Sequence, residues 1–196
     1  MTMYDTTPRI IKETSAGDFA YDIHDEMLSH REVECVGEIN AQSVYSLCRQ
    51  LRYLERQDPK AEITLYINSP GGEVNSGLAL YDVMQGLSCP VRTVCVGQTA
   101  SMGAVLFAAG SERDILPHGQ VMIHDPLISG GVGGSALAVQ DISKSLLRTR
   151  EIICDILARH TGKSRKEIYR KTAKDTWFNA REAVAFGLAD RVVDKL

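Results

Sequence analysis

The sequence predicts an α/β fold built on a mainly parallel sheet. Three observations predict it. Short β-branched runs alternate with amphipathic runs of helical period, glycine-rich turns follow the strands, and the 196 residues show no repeat, low-complexity tract or interdomain linker. Such alternation gives β-α-β units with right-handed crossovers. Hydrophobic residues make up 44% and charged residues 24%, so a chain of this length can bury a core without staples.

Residues 1–20 are polar, carry Pro8 and Gly17, and read as an N-terminal arm; residues 21–196 read as a single domain. The run AQSVYSLCRQLRYLERQ at 41–57 places Val44, Leu47, Leu51 and Leu54 on one helical face. AEITLYIN at 61–68 is a β-branched strand, followed by the turn SPGG. NSGLALYDVMQGL at 75–87 is a helix, CPVRTVCVG at 89–97 a strand, ASMGAVLFAAG at 100–110 a helix and QVMIH at 120–124 a strand. DPLISGGVGG at 125–134 is a glycine-rich excursion.

A long helix is expected from about 135 to 160, striped by Ile142, Leu146, Ile153 and Leu157 and stopped by Gly162. About 26 residues extend about 39 Å. One small domain cannot cover that length, so the helix is expected to meet another subunit. Ser164 with Glu167, and Asn179 with Glu182, have capping-box spacing and start two short helices, the second ended by Gly187.

The formal net charge is −3, which leaves no basic excess to grip a nucleic acid. The longest apolar region, around 104–109, is far short of a membrane span. The opening residues lack a basic start followed by an apolar stretch, so no signal peptide is expected. Cys35, Cys48, Cys89, Cys95 and Cys154 are odd in number and neither CxxC nor metal-like in spacing. They read as reduced thiols of a cytoplasmic protein, with no metal site.

Ser101 lies between a buried strand and an apolar helix. The plain reading is an N-cap. The functional reading is a nucleophile at a helix N-terminus, where the N–H of Met102 faces a developing oxyanion. The glycines of SPGG lie at the same carboxyl edge of the sheet, where α/β sheets bind ligands. His124 ends its strand at that edge too. A Ser–His pair needs a third group to orient the imidazole. Asp125, Asp141, Asp155, Asp175 and Asp190 all follow His124, and spacing does not choose among them. Asp175 stands in a loop between two helical runs, where function concentrates.

LYINSPGG (65–72), ALYDVMQ (79–85), GQTASMGAVLFAAG (97–110), VMIHDP (121–126) and FNAREAVAFGLAD (178–190), in that order, resemble the proteolytic subunit of the Clp protease, the ClpP family. The resemblance runs from about Pro8 to Val193. It implies a crotonase-like α/β fold and a serine endopeptidase with Ser101 as nucleophile, His124 as general base and Asp175 as orienting carboxylate. Oxyanion donors fall on the backbone N–H groups of Gly72 and Met102, and no cofactor is implied. It further implies two stacked heptameric rings, a tetradecamer, joined through the long helix and a glycine-rich strand before it. Substrate would add as a β-strand beside SPGG and Gly130–Gly134. Unfolded polypeptides would enter from an AAA+ Clp ATPase of the ClpX, ClpA or ClpC type.

The chain departs from the family pattern. Thr64, Gly86 and Asp114 stand where members carry aromatic residues that receive ATPase loops, and only Tyr66 stays aromatic. Ala173 and Lys174 replace an acid and an arginine before Asp175, and lysine lacks arginine's bidentate fork. The long helix opens with ALAVQD in place of acidic residues, leaving Asp141 as the nearest acid. Asp125 replaces a glutamine beside His124, where a second carboxylate would raise the imidazole pKa. The departures motivate an alternative: a divergent paralogue that assembles with a more typical ClpP subunit as a structural or regulatory ring. A crotonase-type acyl-CoA enzyme shares the fold, but no adenine-binding signal is present.

Overall fold

The computed structural model describes residues 8–15, 17–128 and 130–195. The stretch read as an arm carries a hairpin, β1 (Arg9–Thr14) paired antiparallel with β2 (Gly17–Asp22) in a sheet of its own. Helix α1 (Ile23–Ser29) follows, with Asp22 and Asp25 forming a reciprocal capping box. The main body then runs β3 (Glu32–Ile39), α2 (Ala41–Gln57), β4 (Ile63–Gly72), α3 (Val74–Gly86), β5 (Val91–Ala100) and α4 (Met102–Ala108). It continues with β6 (Arg113–Ile115), β7 (Gln120–Ile123), α5 (Ala136–Thr161), α6 (Arg165–Thr172), β8 (Thr176–Asn179), α7 (Ala180–Phe186) and β9 (Arg191–Val192).

The sheet order is β3-β4-β5-β6-β9, parallel throughout. Strand β5 forks. Its first half, Thr93–Cys95, pairs with β6, and its second half, Gln98–Ala100, pairs in parallel with β7. Strand β8 then joins β7 antiparallel. The expected α/β class with a mainly parallel sheet is therefore found.

Local chemistry explains the elements. Asn40 accepts from the N–H groups of Gln42 and Ser43 and starts α2, whose Val44, Leu47, Leu51 and Leu54 are buried as their spacing predicts. In β4 the alternate residues Ile63, Leu65 and Ile67 are fully buried. All seven residues of α4 are buried, because this apolar helix lies between the sheet and helices α3 and α5. Gly162 and Gly187, at φ +69° and +90°, end α5 and α7 in the left-handed conformation.

Two local expectations are corrected. SPGG is not a turn after β4 but its continuation: Gly71 and Gly72 pair with Glu38 and Ile39 beyond a register shift. Residues 130–134 form no strand. Gly130, Gly131 and Gly134 hold φ of +91°, +89° and +133°, outside the extended region.

Helix α5 is divided. Ile153, Cys154, Ile156 and Leu157 are buried in the core. Upstream, Leu137, Val139, Ile142, Leu147 and Ile152 are exposed, Leu137 at 73%. Exposed apolar side chains thus lie on the part of α5 that precedes Ile153.

Asp114 also differs from expectation. It offers no charge to an incoming loop, because it is completely buried. Arg92 Nε donates to its Oδ2 at 2.7 Å, and Arg191 Nε lies 2.7 Å from its Oδ1. Arg191 also reaches Glu112. Strands β5, β6 and β9 are thus bound through one carboxylate. Asp114→Ala leaves two guanidiniums facing each other across an emptied site. We expect a loss of about 2–3 kcal/mol, below the cost of breaking a fully enclosed pair because Arg191 is half exposed. Urea denaturation measures it; an unchanged midpoint would show that water replaces the carboxylate.

Candidate active site

The fork in β5 assembles the site. Its second half leads into Ser101, β7 leads into His124, and β8 begins one residue after Asp175. The Ser101 N–H donates to Met122 O at 2.9 Å, extending the β5–β7 ladder to the serine itself. The structure therefore brings the three residues together from positions far apart in the chain.

Ser101 has φ +55° and ψ −121°, a strained conformation for a residue with a side chain. Its hydroxyl does not cap α4. It meets His124 Nε2 at 2.8 Å instead. Ser101 thus holds the N-cap position of α4 without a side-chain cap. His124 Nδ1 faces Asp175 Oδ1 at 3.4 Å, a loose contact; the histidine side chain is 15% exposed and the aspartate 66%. In the tautomer with its proton on Nδ1, the ring would present that proton to the carboxylate and leave Nε2 to accept from the serine hydroxyl.

The other candidate carboxylates are engaged elsewhere. Asp141 meets Lys144, Asp155 meets Arg165, and Asp190 is bound by Arg113. Hydrogen bonds from Arg113 hold the Asp190 carboxyl below the usual carboxylate range. Asp125, adjacent to His124, turns to Thr172 and Arg150.

Gly72 stands opposite Ile39 at the end of β4, and Met102 opens α4 directly after Ser101. The neighbouring Gly71 packs directly against the serine. A Cβ on Gly71 would lie 2.6 Å from Ser101 Cβ and 2.7 Å from Ala100 O, and its φ is +96°. Only glycine lets the two strand ends approach this closely. Buried Ser69 secures the same segment, donating to Gly37 O at 2.6 Å and accepting from the Gly71 N–H at 3.0 Å. Sequence reading passes over Ser69 and takes Gly71 only as one of the SPGG glycines; the signal was the SPGG string itself, read there as a turn.

A cleft of about 490 Å³ opens over these groups, with Glu38, Glu73 and Leu127 on its walls. Both glutamates are exposed, and neither meets a cation among the described residues. Next to it, a groove along α5 is lined by Val74, Leu127, Ile128, Ile142 and Leu146 together with the polar Glu73, Asn75, Ser145 and Thr149. All five cysteines are free, and burial pushes the thiols of Cys35 and Cys95 up to about 11, far from a reactive thiolate.

A parallel α/β sheet with a serine, a histidine and a carboxylate in series at its edge has the parts of a serine hydrolase. The chain matches the model of the Clp protease family over residues 15–196 and belongs to that family. It is accordingly a Clp-type protease subunit of the serine peptidase class, and the family works as oligomeric rings with Clp ATPases. No helix among the described residues is long and apolar enough to cross a membrane.

Proposed function

We propose that this chain is the proteolytic subunit of an ATP-dependent Clp protease, a serine endopeptidase that cleaves unfolded polypeptides inside a ring-shaped chamber. Ser101 Oγ attacks the peptide carbonyl carbon as its proton passes to His124 Nε2. Asp175 orients the imidazole and stabilises the imidazolium. The N–H groups of Gly72 and Met102 receive the oxyanion. His124 then protonates the leaving amine, the C–N bond breaks, and an acyl-enzyme remains. Water, deprotonated by His124, hydrolyses the ester and restores the serine hydroxyl. The observation that carries this reading is the 2.8 Å contact between Ser101 and His124 in a chain of this family.

The exposed apolar side chains of α5 support self-association into heptameric rings and a tetradecamer through that helix. Free cysteines fit a cytoplasmic location. Hydrolysis of short fluorogenic peptides by the purified full chain, with fluorophosphonate labelling and the mass by light scattering, tests the reading. We expect hydrolysis, one labelled serine and a ring-sized particle. With Glu38 and Glu73 on the cleft, peptides bearing Lys beside the scissile bond should be cleaved faster than their Glu counterparts, the ratio falling with salt. An unlabelled monomer without activity would defeat it.

A second reading has the chain as a structural or regulatory ring beside a more typical ClpP subunit. The open surface at Gly86 and the half-buried Thr64 favour it, since neither supplies the apolar wall an ATPase loop needs. Under it, a homomeric ring binds Clp ATPases weakly. Sub-micromolar binding by interferometry would remove its main support.

A further inference from the structure

We infer that Asp125 is a positioning residue which, with Thr172 and Arg150, clamps the segment carrying Asp175 against His124. The inference rests on the roles proposed above for His124 and Asp175. Its starting point is the exposure of Asp175. A carboxylate that is 66% exposed and 3.4 Å from its imidazole competes with water, so its place depends on how firmly its backbone is held. Beyond that contact, the Asp175 side chain has no partner among the described residues.

The backbone is held at both ends, by the residues that flank His124. On one side, Ile123 pairs with Thr176 in the β7–β8 ladder. On the other, the Asp125 N–H donates to Thr172 O at 2.7 Å, and Thr172 Oγ1 donates to Asp125 Oδ1 at 2.6 Å. Residues 172–176 are therefore fixed on either side of Asp175 to residues on either side of His124. Thr176 Oγ1 closes the loop internally, donating to Lys171 O at 2.6 Å.

Arg150 completes the clamp from α5. Its Nε lies 2.7 Å from Asp125 Oδ2, as a charge contact that lacks hydrogen-bond alignment, and its guanidinium stacks 4.5 Å from the Tyr169 ring of α6. The arginine offsets a charge one residue from His124 and ties the loop to α5. Both Asp125 oxygens are engaged, Oδ1 by Thr172 and Oδ2 by Arg150.

The buried Thr172 hydroxyl offers the clean test, because Thr172→Val keeps the volume and Thr172→Ser keeps the hydroxyl. In the full-length chain we expect Thr172→Val to lower kcat for a fluorogenic peptide about ten- to a hundred-fold with KM within about twofold, and Thr172→Ser to recover most of the loss. Hydrogen exchange by mass spectrometry over 172–178, which needs no activity, should be faster in Thr172→Val and native in Thr172→Ser. Asp125→Asn, which retains the acceptor but weakens the arginine contact, should fall between them. Native exchange in Thr172→Val, or equal disturbance in Thr172→Ser, overturns the clamp. Lack of hydrolysis by the parent chain would count against the peptidase reading while the exchange comparison still decides the clamp.

Discussion

Replacing Ser101 by alanine should lower peptide hydrolysis by roughly 10⁴–10⁶-fold with the fold intact, since members of such a triad act as a unit. The hydroxyl makes no structural bond that the fold would miss: it does not cap α4, and its partner is His124. In the proposed mechanism, removing it forfeits the acyl-enzyme route and leaves only what the oxyanion donors contribute. The backbone at Ser101 sits at φ +55°, which alanine tolerates about as poorly as serine, so little stability should change. Kinetics with a fluorogenic peptide and the thermal midpoint of the same preparation check both halves. A variant that hydrolyses at near the parent rate would remove Ser101 from the mechanism.

Gly71→Ala should be damaging in a different way, by moving the serine rather than removing it. The added methyl would lie 2.6 Å from Ser101 Cβ and 2.7 Å from Ala100 O, and a φ of +96° is itself costly for alanine. The obstacles are backbone and the first side-chain atom, which cannot rotate away. The end of β4 must retreat from the end of β5, opening the Ser–His geometry. A displacement near 1 Å costs about 100-fold in rate, and the strain adds about 1–3 kcal/mol of destabilisation. We expect kcat/KM to fall at least about 100-fold and the urea midpoint to drop. The same substitution at Gly86, where nothing lies within 4 Å of a Cβ, serves as the control and should be silent.

Much of this architecture was legible because its elements are long or strongly periodic. Helices α2 and α5, the core of β4, and the caps at Ser164 and Asn179 all carry patterns that local physics imposes. Ser101 and His124 were legible for a related reason: each follows directly on a strand, and parallel strands deliver their ends to one edge. Asp175 was not legible from spacing. What brings it to His124 is β8, a four-residue strand running antiparallel to β7, too short for its alternation to register. Strands β6 and β9 are shorter still.

The burial of Asp114 leaves no local trace in the sequence, because it depends on Arg92 and Arg191 arriving from neighbouring strands. The tie between Asp125 and Thr172 likewise spans 47 positions and leaves no local trace.

The forked strand has a mechanical consequence. A strand that changes partners midway divides its sheet into two leaves joined along a seam. Ser101 and His124 ride on the same leaf, coupled by the Ser101 N–H to Met122 O bond, while the Asp114 cluster ties the other leaf together. Breathing of the β6–β9 margin can then be absorbed at residues 96–97 of β5, where Gly97 at φ +101° interrupts the regular ladder. A load on the β6–β9 margin therefore bears first on Thr93–Cys95, the half of β5 that carries neither Ser101 nor the pairing to β7.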